Sequence, residues 1–185
     1  MLTSHSALRQ ALHDEVKGKR KQTLLQTTSI VERRTTLLKR IQRFREIQKV
    51  YMPGFDPKNN THLEHQPSSN PSASVHVEDS KLYMPSDLTD ADRRKYCPGG
   101  LAGMEDRLRF AEASDSLETL RHHLRTRSFA NRFKINNVTG QIRNTRAWET
   151  QSRIDDKVRA AESQYRRSRA ALLKLRGHGA WEEKL

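Results

Sequence analysis

Residues 141–176 read QIRNTRAWETQSRIDDKVRAAESQYRRSRAALLKLR and carry the most regular pattern in the chain. Small, apolar or uncharged side chains recur there in alternating steps of four and three residues, at Ala147, Gln151, Ile154, Val158, Ala161, Tyr165, Ser168, Leu172 and Leu175. Such steps place all of them on one face of a helix, as in a coiled coil. The pattern predicts a long helix with a heptad seam at Ile154, Val158, Ala161, Tyr165 and Leu172. Gly177 and Gly179 are expected to end it, with Trp181 folding back over it.

Two further long helices are predicted upstream. The first runs from about Ser6 to Tyr51, where Pro53-Gly54 ends it, and its apolar face comprises Ile30, Leu37, Ile41, Phe44 and Tyr51. The second starts near Leu101 and fades near Ile135. Its expected inward residues are Leu101, Met104, Leu108, Ala111, Leu117, Leu120 and Leu124.

The stretch between these helices differs in composition. Four of the six prolines fall between residues 53 and 71, among Asn, Ser, Thr and His, which predicts a disordered linker over residues 53–81. After it, Ser86 or Thr89 is expected to cap a short helix that ends near Tyr96, before Cys97-Pro98-Gly99-Gly100 breaks the chain.

These elements predict an all-α fold of long antiparallel helices, an extended coiled-coil-like bundle with one disordered linker. Only 34% of the residues are hydrophobic and 31% are charged, so the core is expected to be a narrow stripe between paired helices. We divide the chain into a basic long helix (1–52), the linker (53–81) and a helical hairpin region (82–185) that packs with the first helix as a single helical domain.

The charge of the chain favours polyanionic partners. Its formal net charge is +13, of which residues 1–52 carry +8 and residues 141–185 carry +5. Two basic clusters are therefore candidate nucleic-acid-binding sites, one in each of these helices, and a solvated coiled-coil flank is the alternative for both. The candidates are Lys17, Lys19, Arg20, Lys21, Arg33, Arg34, Lys39, Arg40 and Arg43 in the first cluster, and Arg166, Arg167 and Arg169 in the second.

Catalytic and metal-binding patterns are weak. Asp106, Glu149 and Asp155-Asp156 lie on Arg-rich predicted helices, where a partner three or four residues away is the simpler reading. The pairs His62/His65 and His122/His123 lack further ligands, and no base can be assigned to Cys97. We expect no catalytic residue, no metal and no cofactor. A single cysteine, no apolar leader and no membrane span fit an intracellular protein.

Several stretches together resemble the carboxyl-terminal region of Kyakuja-Dileera-Zisupton (KDZ) transposases. They are Ile41-Gln42-Arg43-Phe44-Arg45, Val50-Tyr51-Met52-Pro53-Gly54, Leu82-Tyr83-Met84-Pro85-Ser86-Asp87-Leu88, Gly100-Leu101-Ala102 with Glu105-Asp106-Arg107-Leu108-Arg109, Leu120-Arg121-His122-His123-Leu124-Arg125, and Gly140-Gln141 with Asn144-Thr145-Arg146. The similarity extends from about residue 25 to Leu185. It implies a mobile-element protein that works on DNA in the nucleus, whose catalytic RNase H-like core lies upstream of the matched region.

The expected function is therefore a noncatalytic accessory segment or remnant of a KDZ-type transposase, which contacts DNA backbone without sequence selectivity or helps to assemble the transposase complex. The alternative is a structural coiled-coil module that self-associates or docks a protein partner without binding nucleic acid. In neither case do we expect a membrane or a small-molecule substrate as partner.

Overall fold

The computed structural model describes residues 9, 12, 24–57 and 77–185. Within these ranges the chain forms four helices, α1 (Leu24–Tyr51), α2 (Asp90–Tyr96), α3 (Leu101–Asn137) and α4 (Gln141–Arg176), and 3₁₀ turns at Val77–Asp79, Pro85–Asp87 and Glu182–Lys184. The described residues contain no β-strand, which confirms the all-α class. None of their helices carries an apolar stretch able to cross a membrane. Residues 58–76 of the linker predicted over residues 53–81 lie outside the described residues, as does most of the helix predicted before Leu24. At the two ends of that linker, Phe55 and Glu78 are buried against the first unit, so the predicted disorder was wrong for residues 53–57 and 77–81.

The ends of the helices follow local chemistry that is visible in the sequence. Thr89 caps α2, because its hydroxyl accepts a hydrogen bond from the backbone N–H of Asp92 at 3.2 Å. Gly140 separates α3 from α4 with φ 86° and ψ 154°, a backbone region open almost only to glycine. Gly177 ends α4 with φ 71°. The predicted boundaries of the short helix and of both later long helices are thus confirmed to within two residues.

The described residues form two compact units. The first contains those that lie before residue 85 together with residues 88–99, and the second contains residues 85–87 and 100–185. In the first unit Ile30, Leu37 and Ile41 of α1 form a buried cluster with Leu12. Half-buried Val77 and Leu82 pack against this cluster. Tyr51, the last residue of α1, was expected on the same face, but it is 60% exposed.

Polar contacts fix the rest of the first unit. Arg34 donates to both carboxylate oxygens of buried Glu78, from Nε at 3.2 and 3.1 Å and from Nη2 at 2.5 Å. The Gln48 amide donates to the Tyr83 carbonyl at 2.8 Å. The Phe55 ring packs edge-on against Tyr83 and Tyr96, with centroids 6.0 and 5.8 Å away.

The prediction that residues 82–185 pack with the first helix as one domain stays a prediction.

The second unit is a hairpin of α3 and α4, joined by a turn at residues 138–140. All nine residues of the predicted α4 seam are buried or half-buried. At the open end of the hairpin Leu172 is fully buried with Ala113 and Trp181. The indole N–H of Trp181 donates to the Gly177 carbonyl at 2.9 Å, which holds the terminal residues over the helices as expected.

The face of α3 that packs on α4 differs from the predicted one. Met104, Leu108 and Leu124 are 49%, 65% and 41% exposed, whereas Glu105, Ala113 and Ser116 are buried. The predicted inward face was therefore wrong for Met104, Leu108, Ala111 and Leu124, which are exposed, and right for Leu101, Leu117 and Leu120, which are half-buried. The prediction assumed that apolar residues always take the interface, but polar residues can replace them there when their hydrogen bonds are satisfied.

A network of polar side chains satisfies these buried groups. Ser168 on α4 donates to Glu112 at 2.7 Å, and Arg109 donates to Glu112 at 3.0 Å and to Glu105 at 3.2 Å. The backbone N–H and the hydroxyl of Ser86 donate to the Glu105 carboxylate at 2.8 and 2.7 Å. The network joins α3, α4 and the Pro85–Asp87 turn, and so fixes the register of the hairpin.

Candidate nucleic-acid interface

The first predicted basic cluster is described only from Arg33 onward, because Lys17, Lys19, Arg20 and Lys21 lie outside the described residues. Arg33, Lys39, Arg40 and Arg43 are exposed on α1. Arg34 is engaged by Glu78, and this hydrogen bond raises the pKa of the Arg34 guanidinium. α1 therefore presents an exposed basic surface, while Arg34 serves to hold the first unit together.

The second predicted cluster is partly neutralised by neighbouring carboxylates. Arg166 pairs with Glu162 at 2.6 Å, and Arg169 pairs with Glu182 at 2.5 Å. Arg167 is exposed. Binding of an outside phosphate by Arg166 or Arg169 would first have to break these pairs, so the cluster offers less attraction than its composition suggested.

A third basic surface, which the sequence reasoning did not single out, lies at the closed end of the α3–α4 hairpin. We call residues 125–153 the hairpin tip. It contains seven Lys and Arg side chains and one acidic side chain, Glu149, for a net charge of +6. The sequence divides these charges between the end of one helix and the start of the next, and only the hairpin brings them together.

Most of the charge at the hairpin tip is uncompensated. Arg127 pairs with Asp155 at 2.9 Å and Arg153 with Glu149 at 3.7 Å. The four other arginines of the tip, Arg125, Arg132, Arg143 and Arg146, are all exposed. In the described part of the chain, no carboxylate pairs with any of them. An incoming anion would meet these guanidinium groups without displacing a protein partner.

The hairpin tip also exposes large apolar side chains. Phe129, Phe133 and Trp148 are 71%, 54% and 68% exposed, and Ile135 and Ile142 are 73% and 74% exposed. The helix register explains this exposure, since the half-buried helical residues of the tip are Ala130, Lys134, Ala147 and Gln151. Their neighbours along each helix are turned to the flanks. The Lys134 ammonium lies 5.8 Å from the centre of the Trp148 ring, a cation–π contact.

The acidic residues considered as catalytic candidates all lie against arginines. Asp106 pairs with Arg176, and Glu149, Asp155 and Asp156 pair with Arg153, Arg127 and Arg159. No group of three or more His, Cys, Asp or Glu side chains in the described ranges is placed to hold a metal ion. His62 and His65 lie outside those ranges. The His122 and His123 rings stand edge to face 5.6 Å apart, and Cys97 is buried.

Comparison of the chain with protein-family models, with curated proteins and with solved structures finds no match. The resemblance to KDZ transposases therefore stays a prediction.

Proposed function

We propose that this chain is a noncatalytic helical module that binds nucleic acid through its phosphates, as an accessory segment of a KDZ-type DNA transposase. The observation that carries the proposal is the set of four exposed, uncompensated arginines at the hairpin tip. The exposed basic side chains of α1 add a second positive surface. Nuclear localisation and a role in assembling the transposase complex belong to the same proposal.

Arginine suits this role because its planar guanidinium donates two parallel hydrogen bonds to a phosphate and stays charged at all physiological pH values. Arg125 and Arg132 are seven residues apart on α3, which places them about 10 Å apart along the helix axis. Each strand of duplex DNA carries one charge per about 3.4 Å of the helix axis, so both side chains can meet phosphates of one backbone. With contacts of this kind alone, binding is salt-dependent and unselective.

The test compares arginines that form no ion pair with arginines that already pair with a carboxylate. Fluorescence anisotropy of labelled duplex DNA is titrated with the full chain at a series of salt concentrations. Arg143→Gln/Arg146→Gln removes two uncompensated charges from α4. The matched control, Arg159→Gln/Arg166→Gln, removes two charges from the same helix that already pair with Asp156 and Glu162.

Loss of two phosphate contacts is expected to reduce the slope of log K against log salt by about 1.8, and to weaken binding at about 0.1 M salt roughly 60-fold. The control pair is expected to change both quantities much less. Equal weakening by the two variants would show that overall charge, and not the hairpin tip, drives binding. Absence of salt-dependent binding of the unmodified chain to both duplex and single-stranded DNA would overturn the proposal.

Self-association is the second candidate, and the exposed face of α3 favours it. Met104 and Leu108 lie one turn apart and are 49% and 65% exposed, a spacing suited to a partner helix. Sedimentation of the full chain with and without Leu108→Asp tests this candidate. A dimer that Leu108→Asp dissociates would support it, and a monomer at all concentrations would remove it. A substitution of Val158 is a less informative test of self-association, because Val158 is half-buried in the seam of the hairpin and its loss would also destabilise the fold.

A further inference from the structure

We infer that the hairpin tip binds single-stranded nucleic acid, with unpaired bases stacking on Phe129, Phe133 and Trp148. The inference rests on the proposed function and names the form of nucleic acid that this site takes. Three aromatic side chains that are each more than half exposed stand among uncompensated arginines. Phosphate contacts explain the arginines but leave the aromatic rings without a role.

The spacing of the side chains on α3 suits a single strand. Arg125, Phe129 and Phe133 follow one another in steps of four and therefore lie on one face of the helix. Successive positions are about 6 Å apart along the axis. Stacked bases of a duplex repeat every ~3.4 Å, so bases that meet successive rings must be unstacked from each other. A guanidinium beside the first ring can hold the phosphate between them.

A duplex cannot use these rings in the same way. Its bases already stack on their neighbours, and only their edges are accessible in the grooves. Proteins that bind single strands combine a positive surface with exposed aromatic rings on which the bases stack, whatever their sequence. Trp148 fits this description from the second helix, since Lys134 lies near its ring and adds positive charge beside it.

The arrangement of polar residues argues against an anionic membrane as the occupant. A hairpin that entered a bilayer end-on would lead with its turn, where Asn136, Asn137, Thr139 and Gln141 stand. These polar side chains and the backbone groups of the turn are costly to bury in hydrocarbon. The aromatic rings sit back from the turn along the sides of the helices, where an extended strand can run beside the arginines.

The first experiment measures strand preference. Fluorescein-labelled oligothymidylate of about 12 nucleotides and a duplex of equal length are titrated with the full chain by anisotropy. The unmodified chain is expected to bind the single strand more tightly. Phe129→Ala/Phe133→Ala is expected to weaken single-strand binding about fivefold or more for each ring, with little change for the duplex. The control Val50→Ala truncates an apolar side chain that is 76% exposed and lies outside the tip, and it is expected to leave both affinities unchanged.

The second experiment detects stacking directly. Oligothymidylate is expected to quench the fluorescence of Trp148, and the quenching is expected to vanish in Trp148→Phe, which retains the buried Trp181 as its only tryptophan. Circular dichroism of each variant establishes that the helices are intact, as expected for substitutions at exposed positions.

The outcomes separate this inference from the proposed function. If single and double strands bind with equal affinity, and Phe129→Ala/Phe133→Ala leaves both affinities unchanged, the inference is overturned and the proposed phosphate-binding function is retained. Failure of both nucleic acids to bind would overturn both. Binding to phosphatidylserine vesicles that needs the aromatic rings, without binding to oligothymidylate, would likewise overturn the inference in favour of a membrane surface.

Discussion

Replacement of Arg109 by leucine removes a guanidinium that lies between two shielded carboxylates of the hairpin. Arg109 donates from Nε to Glu105 at 3.2 Å and from Nη1 to Glu112 at 3.0 Å. The side chains of Arg109, Glu105 and Glu112 are 15%, 3% and 17% exposed, so water can replace the lost cation only in part. Arginine and leucine have similar helix propensities, so the substitution does not weaken α3 through propensity.

Breaking a buried ion pair by removing one partner costs about 3–5 kcal/mol, because the remaining charge stays buried without compensation. The two carboxylates keep other hydrogen bonds, from Ser86 to Glu105 and from Ser168 to Glu112. We therefore expect Arg109→Leu to lower the free energy of unfolding of the second unit by about 3 kcal/mol, at the lower end of that range.

Urea unfolding followed by Trp181 fluorescence measures this loss. Both tryptophans belong to the second unit, and Trp148→Phe leaves the buried Trp181 as the only reporter. The control in that background is Arg159→Leu, which breaks the pair with Asp156 at 2.6 Å, where both side chains are about two-thirds exposed. It is expected to leave the urea midpoint almost unchanged, because exposed ion pairs contribute little. If Arg109→Leu shifts the midpoint no more than Arg159→Leu does, the polar network does not stabilise the hairpin.

Three further predictions use the same unfolding assay. Leu172→Ala is expected to lower the free energy of unfolding by about 2–5 kcal/mol, because Leu172 is fully buried, and a loss as small as that of exposed Leu108→Ala would contradict this. Gly140→Ala is expected to cost about 1–3 kcal/mol from backbone strain alone, since the space around the added methyl group is open; an unchanged midpoint would refute the strain. The hydrogen bond with His178 holds the pKa of Glu182 below its ordinary value. The Glu182 carboxylate therefore contributes stability at pH values above its ordinary pKa, and this contribution is lost as the pH falls through the lower pKa of the folded state. The difference between Glu182→Gln and the unmodified chain should therefore be largest near neutral pH and vanish in acid, and a difference that is constant with pH would rule this out.

The sequence alone was sufficient to place α2, α3 and α4. Thr89, Gly140 and Gly177 mark helix ends through capping and backbone conformation, which depend on residues close in the chain. The α4 seam was also readable, because its alternating steps repeat over nine positions and leave no ambiguity about the inward face. These features are local, and no tertiary contact was needed to infer them.

The inward face of α3 was decided by the tertiary structure. Counting apolar residues favoured Met104 and Leu108, but Glu112 meets Ser168 across the interface and Glu105 meets Ser86. A polar residue can be buried only if its partner is in reach, and that partner lies 56 residues away in one case and 19 in the other. Periodicity within a single helix carries no information about such pairs.

The hairpin tip also combines features that the sequence shows with features that only the tertiary structure decides. Each of its arginines and aromatic rings is visible in the sequence, yet they are divided between two helices and follow neither helix's seam. The turn at residues 138–140 brings the two segments together, and packing between the helices leaves Phe129, Phe133 and Trp148 on the flanks. Local chemistry thus determined which segments are helical. Only the pairing of those helices decided which side chains are buried, which charges are neutralised and which surface is left to meet a partner.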